Sequence, residues 1–433
     1  MNRILWRCAG AILIPGIVFR AAWAAPDYYT AGFFTRGADS AFYIDSGDPV
    51  YDPLYVPVQR YTVVPRLTIL GTREDNLFMN AQGTRATTVS AIPGVALIYG
   101  RPEARHVFVD YGAIIPIYSS NDAVDDEISH MVTAGGVYET ARSHLNGRAG
   151  YRRLEQVDTL VGARIVKDDY IANLALEYRG SGKTLVGSLG SFERHDFQAD
   201  RYVDYDRYYG ALRLFYETTP RSQAFVQGGM GRDDIDAGSG GWGDADFYDV
   251  SLGMRGKPTP KSQVSGRAGY QWREVNDVPM EDRDIEHWTA SLYGEVNPRG
   301  FTTFSSELYS DLRPAVNAPG STSIDQRWTG SVARRLFVER LRGQASLFFG
   351  QVDYRSPRQD PDSLEPDGMV YDRRRDEYWG YTLGLAWRWK HNLSCGLSYS
   401  YVDNRAARGA AEEVRNASAY DAGRWQLRMS WNF

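Results

Sequence analysis

Trp425-Gln426-Leu427-Arg428-Met429-Ser430-Trp431-Asn432-Phe433 decides how the rest of the chain is read. Its odd-numbered positions are all apolar and its even-numbered positions all polar. A period of two belongs to an extended strand with one apolar and one polar face. The same split recurs upstream. Leu393, Cys395, Leu397, Tyr399 and Tyr401 alternate with Ser394, Gly396, Ser398 and Ser400, and Tyr381, Leu383, Leu385, Trp387 and Trp389 with Thr382, Gly384, Ala386 and Arg388. Tyr248–Arg255, Gln263–Arg273 and Tyr170–Arg179 carry it through the middle of the chain. These runs are about ten residues long, the length a tilted strand needs to cross a hydrocarbon layer. Many end in Tyr or Trp on the apolar face, where aromatic girdles meet the membrane interface. Strands of soluble sandwiches are shorter, about five or six residues.

The connections give a second signal. Short ones, such as GRPEAR (100–105), ARS (141–143), GSG (180–182), TTPR (218–221), KPTPK (257–261) and PRG (298–300), alternate with long polar stretches such as 154–167, 232–245, 274–286, 312–324, 355–376 and 403–421. A transmembrane barrel with short periplasmic turns and long extracellular loops has this rhythm. The expectation is an all-β, antiparallel transmembrane barrel of about 18 strands over residues 61–433. The alternative is 16 if the hairpin at 129–153 is misread. The strand at 183–194 alternates poorly.

The N-terminal residues point to export. Arg3 and Arg7 precede an apolar run, Ala9 to Phe19, and Ala22-Trp23-Ala24 has the A-x-A form of a cleavage site. Residues 1–24 therefore read as a signal peptide, cut after Ala24. The run is shorter than the roughly 20 residues of a membrane-spanning helix, and no later segment is long and apolar enough to be one. Cys8 leaves with the signal, so Cys395 is the sole mature cysteine and no internal disulfide is expected. Aromatic residues make up 13% of the chain, which suits a membrane barrel with interfacial girdles. Residues 25–60 lack alternation and mix Tyr28, Tyr29, Phe33, Phe34, Tyr43, Tyr51 and Tyr55 with prolines. They read as a periplasmic tether or a lumen plug, with a sugar-stacking patch as the less favoured role.

Two stretches resemble a known family. PRLTILGTREDNLFMN (65–80), with Glu74-Asp75-Asn76 closing the first strand, resembles the opening of the β-barrel porin 2 family, and DRYYGALRLFYETTPRSQAFVQGGMGRDD (206–234) is similar to its central hairpins. The resemblance implies an outer-membrane barrel associated with exopolysaccharide loci of Gram-negative bacteria. It implies no catalytic residues. Phe433 also resembles the terminal aromatic read by the barrel assembly machinery.

The inward face assigned by alternation carries Arg148, Arg152, Arg213, Arg255, Arg267, Arg273, Arg388 and Arg428 against Asp249, Glu177 and Glu295. Such a face either makes an electropositive lumen that favours anions or fills it with ion pairs; both readings stand. Other motifs read more simply. Gly180-Ser181-Gly182-Lys183-Thr184 ends like a P-loop but lacks its first glycine and following helix, so a turn is expected. His106, His130, His144, His195, His287 and His391 show no metal spacing, and no metal or cofactor is expected. His195 with Ser191, and His287 with Ser291, are pairs of a kind chance supplies. Asp233, Asp234, Asp236, Asp244 and Asp246 suit Ca²⁺ by chemistry but not by EF-hand spacing, so they read as a solvated loop. The acidic runs Asp122–Glu127 and Asp360–Asp367 read likewise.

The function expected is a porin-like channel in the bacterial outer membrane, assisting polysaccharide export or passing anionic solutes. The rival is a closed structural or surface-interaction barrel whose loops bind ions or a partner. An outer-membrane enzyme is the least favoured reading. Expected partners are outer-membrane lipid and lipopolysaccharide, the assembly machinery, and polysaccharide or periplasmic export components, with no nucleic acid.

Overall fold

The computed structural model describes residues 56–58, 61–76, 85–101, 105–118, 128–158, 163–198, 202–236, 244–276, 284–298, 300–315, 322–336, 340–355, 375–390, 392–408 and 420–432. The expected signal peptide, most of segment 25–60, the acidic runs at 122–127 and 360–367, His391 and Phe433 lie outside them.

The strands are β1 (Val56–Val58), β2 (Tyr61–Glu74), β3 (Ala86–Arg101), β4 (Arg105–Tyr118), β5 (Ser129–Glu139), β6 (Ser143–Asp158), β7 (Ala163–Arg179), β8 (Thr184–Phe197), β9 (Asp204–Thr219), β10 (Ser222–Asp236), β11 (Ala245–Gly256), β12 (Ser262–Val275), β13 (Asp284–Val296), β14 (Thr302–Pro314), β15 (Thr322–Arg335), β16 (Leu341–Arg355), β17 (Arg375–Lys390), β18 (Leu393–Arg408) and β19 (Tyr420–Asn432). From β2 onward each strand pairs antiparallel with the next, and β19 pairs back onto β2 from Arg424↔Glu74 to Asn432↔Arg66. The ring therefore closes with eighteen strands, and β1 is a three-residue addition to β2, register Val56↔Val63. Closure leaves no long free edge and pairs the backbone within the wall. At the usual strand spacing and tilt the ring has a Cα radius of roughly 18 Å.

The alternation read from the sequence is the alternation of the wall. Leu212, Leu214, Val250, Leu252, Leu383, Leu385, Leu427 and Trp425 stand exposed on the outside. Their neighbours Arg213, Asp249, Ser251, Thr382 and Gln426 are buried inside. A soluble barrel would reverse this. Both strands of the doubted hairpin form, as β5 and β6, so the sixteen-strand alternative falls. Strand β8 also forms, and its inward positions are regularly buried. It looked irregular because Ser188 and Gly190 take outward places.

Several inward aromatic rings sit against the wall. They lie flat on a glycine of the next strand: Phe225 on Gly253, Phe247 on Gly231, Phe348 on Gly380 and Tyr378 on Gly350. A Cβ at any of these glycines would overlap the ring. The glycine makes room for the ring, and the ring restores the burial that the glycine lacks.

At the end of the barrel with long connections the wall opens along one seam. β13 pairs with β12 along its whole length, up to Asp284↔Glu274. It pairs with β14 only between Ala290↔Ser310 and Val296↔Phe304. Above Ser310, β14 stays with β15 as far as Pro314↔Thr322 but has left β13. This upper part of β14–β15, here called the strap, folds into the barrel. Leu312 and Ile324 occupy outward positions by alternation, yet they form one buried cluster with Ala245, Val275 and Ile285 from the inner face of β11–β13. Ala315, just beyond β14, packs with Val352, Tyr354 and Tyr378 on the inner face of β16 and β17. The stretch 312–324, read from sequence as an external loop, thus includes strand at both ends. Its polar composition hid a turn inward, because the lumen it enters is polar too.

Candidate functional site

The lumen wall from β6 to β12, with the strap facing it, is the densest array of buried charge in the structure. In the half near the short turns, Arg255 on β11 grips Glu177 on β7 through two bonds, Nη1–Oε1 at 2.7 Å and Nη2–Oε2 at 2.8 Å. Its Nε donates to Gln223 and its guanidinium lies over the Phe215 ring. Arg213 Nε donates to Gln227 Oε1 at 2.6 Å. Gln227 in turn donates to Tyr209 Oη and Asp249 Oδ2, and Tyr209 donates to Asp249 Oδ1 at 2.6 Å. A bidentate arginine–carboxylate pair fixes both partners in orientation as well as distance.

Higher up, Asp169 on β7 is fully buried and collects basic side chains from three strands. Arg152 donates to it at 2.6 Å, His195 Nδ1 lies at 2.7 Å and Lys167 Nζ at 3.8 Å. Three strands further round, Asp233 on β10 is held between Arg207 Nε at 2.8 Å and Arg273 Nη1. Arg207 also donates through Nη2 to the carbonyl of Leu312 at 3.0 Å, tying β9 to the strap. On the strap, Arg313 Nε donates to Asp311 at 3.0 Å and feels the charge of Glu193 on β8. Burying an arginine is costly unless a carboxylate pairs with it, so these shared acids are what let the wall hold so many cations.

The opposite wall has a different character. From β15 to β19 the inward side chains include Arg327, Arg335, Arg342, Arg388, Arg424 and Arg428, against Asp325 and Asp376 near the long-connection end. Arg424 meets Glu74, and Arg428 Nε donates to Ser430 at 2.9 Å. Between them runs a row of hydroxyls in register across neighbouring strands: Ser305, Ser331, Ser346, Thr382 and Ser400. On the β4–β5 side, Asp110 receives Arg66 through Nη1 at 3.0 Å and Nη2 at 2.5 Å, and Arg148 also acts on it.

The sequence-assigned lumen residues all lie on the inner face. Arg152, Arg213, Arg255 and Arg273 are drawn into the paired β6–β12 wall with Glu177 and Asp249. Arg267 is inward on β12, and Glu295 accepts from Tyr293 at 2.6 Å. Arg148, Arg388 and Arg428 lie elsewhere on the circumference. Reasoning from the sequence missed Arg66, Asp110, Lys167, Asp169, Glu193, Arg207, Asp311 and Arg313. Asp169 and Arg207 have inward parity and already lay within the expected strands, so alternation alone could have found them. Arg66, Asp110 and Glu193 also lay within expected strands, Lys167 lay just before one, and Asp311 and Arg313 depend on where the strap falls.

Asp233 needs correction. It was expected in a solvated loop, but β10 continues to Asp236 and buries it completely. Asp234 and Asp244 do sit outside, around Arg232. The hydrogen bonds of His195 and His287 run to Asp169 and to Ser310 Oγ (3.1 Å), not to Ser191 and Ser291. Gly180–Thr184 is the β7–β8 turn, with Ser181 Oγ accepting from the amides of Lys183 and Thr184. Among the described residues no cluster of His, Cys, Asp and Glu is arranged to hold a metal.

No family model matches the chain, so the resemblance to the β-barrel porin 2 family gains no match, and no curated protein matches it. Solved structures do. OpdO of Pseudomonas aeruginosa is 12% identical with a TM-score of 0.47, over 87% of this chain and 98% of that one. OccAB4 of Acinetobacter baumannii is 12% identical with a TM-score of 0.45, over 86% and 98%. A bacterial polysaccharide outer membrane secretin is 12% identical with a TM-score of 0.35, over 86% and 98%.

Proposed function

We propose that the chain is a channel of the bacterial outer membrane that passes anionic solutes, oriented with its short turns in the periplasm. The observation that carries this is the asymmetry of the lumen. Among the described residues, the β15–β19 wall carries six inward arginines against the two inward aspartates Asp325 and Asp376, an excess of positive charge that the β6–β12 wall, with its shared carboxylates, does not show. An anion entering such a bore meets a wall on which arginines outnumber carboxylates. Low-dielectric walls focus that field along the bore. No residue is proposed to do chemistry.

Polysaccharide passage is the second reading, and one feature favours it. The registered hydroxyl row from Ser305 to Ser400 offers donors and acceptors to a neutral polyhydroxyl chain without binding it tightly. The experiment is single-channel recording of the refolded protein in a planar bilayer, with reversal potentials in a salt gradient. Steady current with anion preference is expected, and Arg388→Glu with Arg428→Glu should shift the preference toward cations. Block by charged oligosaccharides but not by neutral ones would favour the anion reading over the polyhydroxyl one. A correctly folded barrel that passes no current would overturn the channel and favour the closed structural barrel.

A further inference from the structure

We propose that the strap is a two-position gate: folded inward as described, it narrows the lumen, and swung outward it completes the barrel wall by re-forming the upper β13–β14 ladder. As a gate it rests on the channel reading; the two positions do not.

The argument starts at the seam. The observed register pairs Ala290 with Ser310 and stops. Continued upward, the same register sets Thr289 opposite Asp311, Trp288 opposite Leu312 and His287 opposite Arg313. The faces match at each step. Trp288 and Leu312 would both point outward, with Ile324 beside them as the β15 partner of Leu312. Asp311 and Arg313 would point inward with Thr289 and His287. A segment meant only to be an internal plug has no reason to keep the alternation of a wall strand. This one keeps it, in phase with the strand it has left.

The inward position satisfies the same groups differently. Leu312 and Ile324 hide their apolar surface against Ala245, Val275 and Ile285 instead of against lipid. The carbonyl of Leu312 accepts from Arg207 rather than from β13. At the apex of the seam, Ser310 Oγ lies 3.1 Å from His287 Nε2 and donates to the Trp288 carbonyl, so side-chain bonds stand where the ladder ends. Along the rest of the seam, the upper edge of β13 has no ladder partner among the described residues. Two packings of one segment, each burying its apolar face, are the ingredients of a bistable element. Within the strap β14 remains paired to β15, and β15 to β16, so it moves as a leaf attached along one side.

Cysteine pairs distinguish the positions. Residues directly opposite in an antiparallel ladder have Cα atoms about 4.5–5.5 Å apart, within disulfide reach. With Cys8 and Cys395 replaced by serine, Trp288→Cys with Leu312→Cys captures the outward position. Ile285→Cys with Leu312→Cys captures the inward one. Leu292→Cys with Leu308→Cys, opposite each other in the observed ladder, is the control. Folded barrels in lipid vesicles are oxidised and scored by gel mobility, then recorded in bilayers. Both test pairs should cross-link, and reductant should reverse both. The outward-locked barrel should conduct at least about two-fold more than the inward-locked one, with the difference abolished by reductant. If the control and inward pairs close while the outward pair stays reduced, the second position does not exist and the proposal fails. If both close but conduct equally, the strap moves without gating and the gate fails. Cross-linking of both pairs in barrels that never conduct would sink the channel reading, and the gate with it, while leaving the two positions intact.

Discussion

Gly350→Ala tests whether the flat rings hold the wall together. Gly350 faces the lumen beneath Tyr378, and the atoms nearest to a Cβ there all belong to that ring, with Cε2 at 2.6 Å and Cζ closer. Carbon atoms rest at about 3.5–4 Å, so the ring must lift by roughly 1 Å. Tyr378 Oη now donates to Asp325 Oδ1 at 3.1 Å, and a lift of that size breaks the bond. Losing a hydrogen bond to a charged acceptor costs about 1.5–3 kcal/mol, and forced overpacking about 1–3 kcal/mol. The entropic gain of Gly→Ala in a strand returns about 0.5–1 kcal/mol. The net destabilisation is about 3 kcal/mol. The assay is denaturant unfolding of the barrel refolded into lipid vesicles, followed by tryptophan fluorescence. The decisive comparison is Gly350→Ala with and without Tyr378→Ala. Once the ring is gone the methyl group loses its three nearest contacts, so the two substitutions should couple by about 2 kcal/mol. Additivity within about 0.5 kcal/mol would refute the reasoning, because the cost would then come from the backbone and not from the ring.

Two further outcomes follow from the lumen. Asp233→Asn leaves Arg207 and Arg273 buried against a neutral amide and should cost about 3–5 kcal/mol in the same unfolding assay, whereas Asp234→Asn, on the exposed side of β10, should change stability by less than about 0.5 kcal/mol. Deleting residues 25–55, just before β1, should raise single-channel conductance if that segment plugs the bore; unchanged conductance with intact folding would assign it the role of a tether.

The wall was legible in the sequence because a membrane barrel writes its structure with period two. Each strand must show lipid an apolar side chain at every other place, and Trp425 to Trp431 does so without exception. Strand ends were less legible. β7 and β10 run beyond the expected 168 and 231 because strand continues past the hydrocarbon layer, where the outward face no longer has to be apolar. Arg232 and Asp234 sit outward there and looked like loop. The strap was illegible for a related reason. Asp311, Arg313 and the polar residues after them suit an external loop, a lumen plug and a wall strand equally well. Only the apolar pair Leu312 and Ile324, flanking that polar stretch, hinted that something there needed a place to pack. The pairing of lumen arginines was not legible either. Arg255 reaches Glu177 across intervening strands, a contact set by wall curvature and tilt that alternation does not encode.

The closing seam has a consequence for how the chain could be cut. β3 occupies one edge of β2 from Tyr61↔Tyr99 to Glu74↔Ala86. β1 and β19 must therefore share the other edge, with Val58 opposite Tyr61 and Asn432 opposite Arg66. The first and last strands end beside each other on the same neighbour, at the rim that carries the short turns. In the language of circular permutation, the present break in the ring is one choice among several. A brief linker from Asn432 to Val56 would close the covalent ring. New ends opened at the Gly180–Lys183 turn would leave all eighteen ladders with the partners they have now.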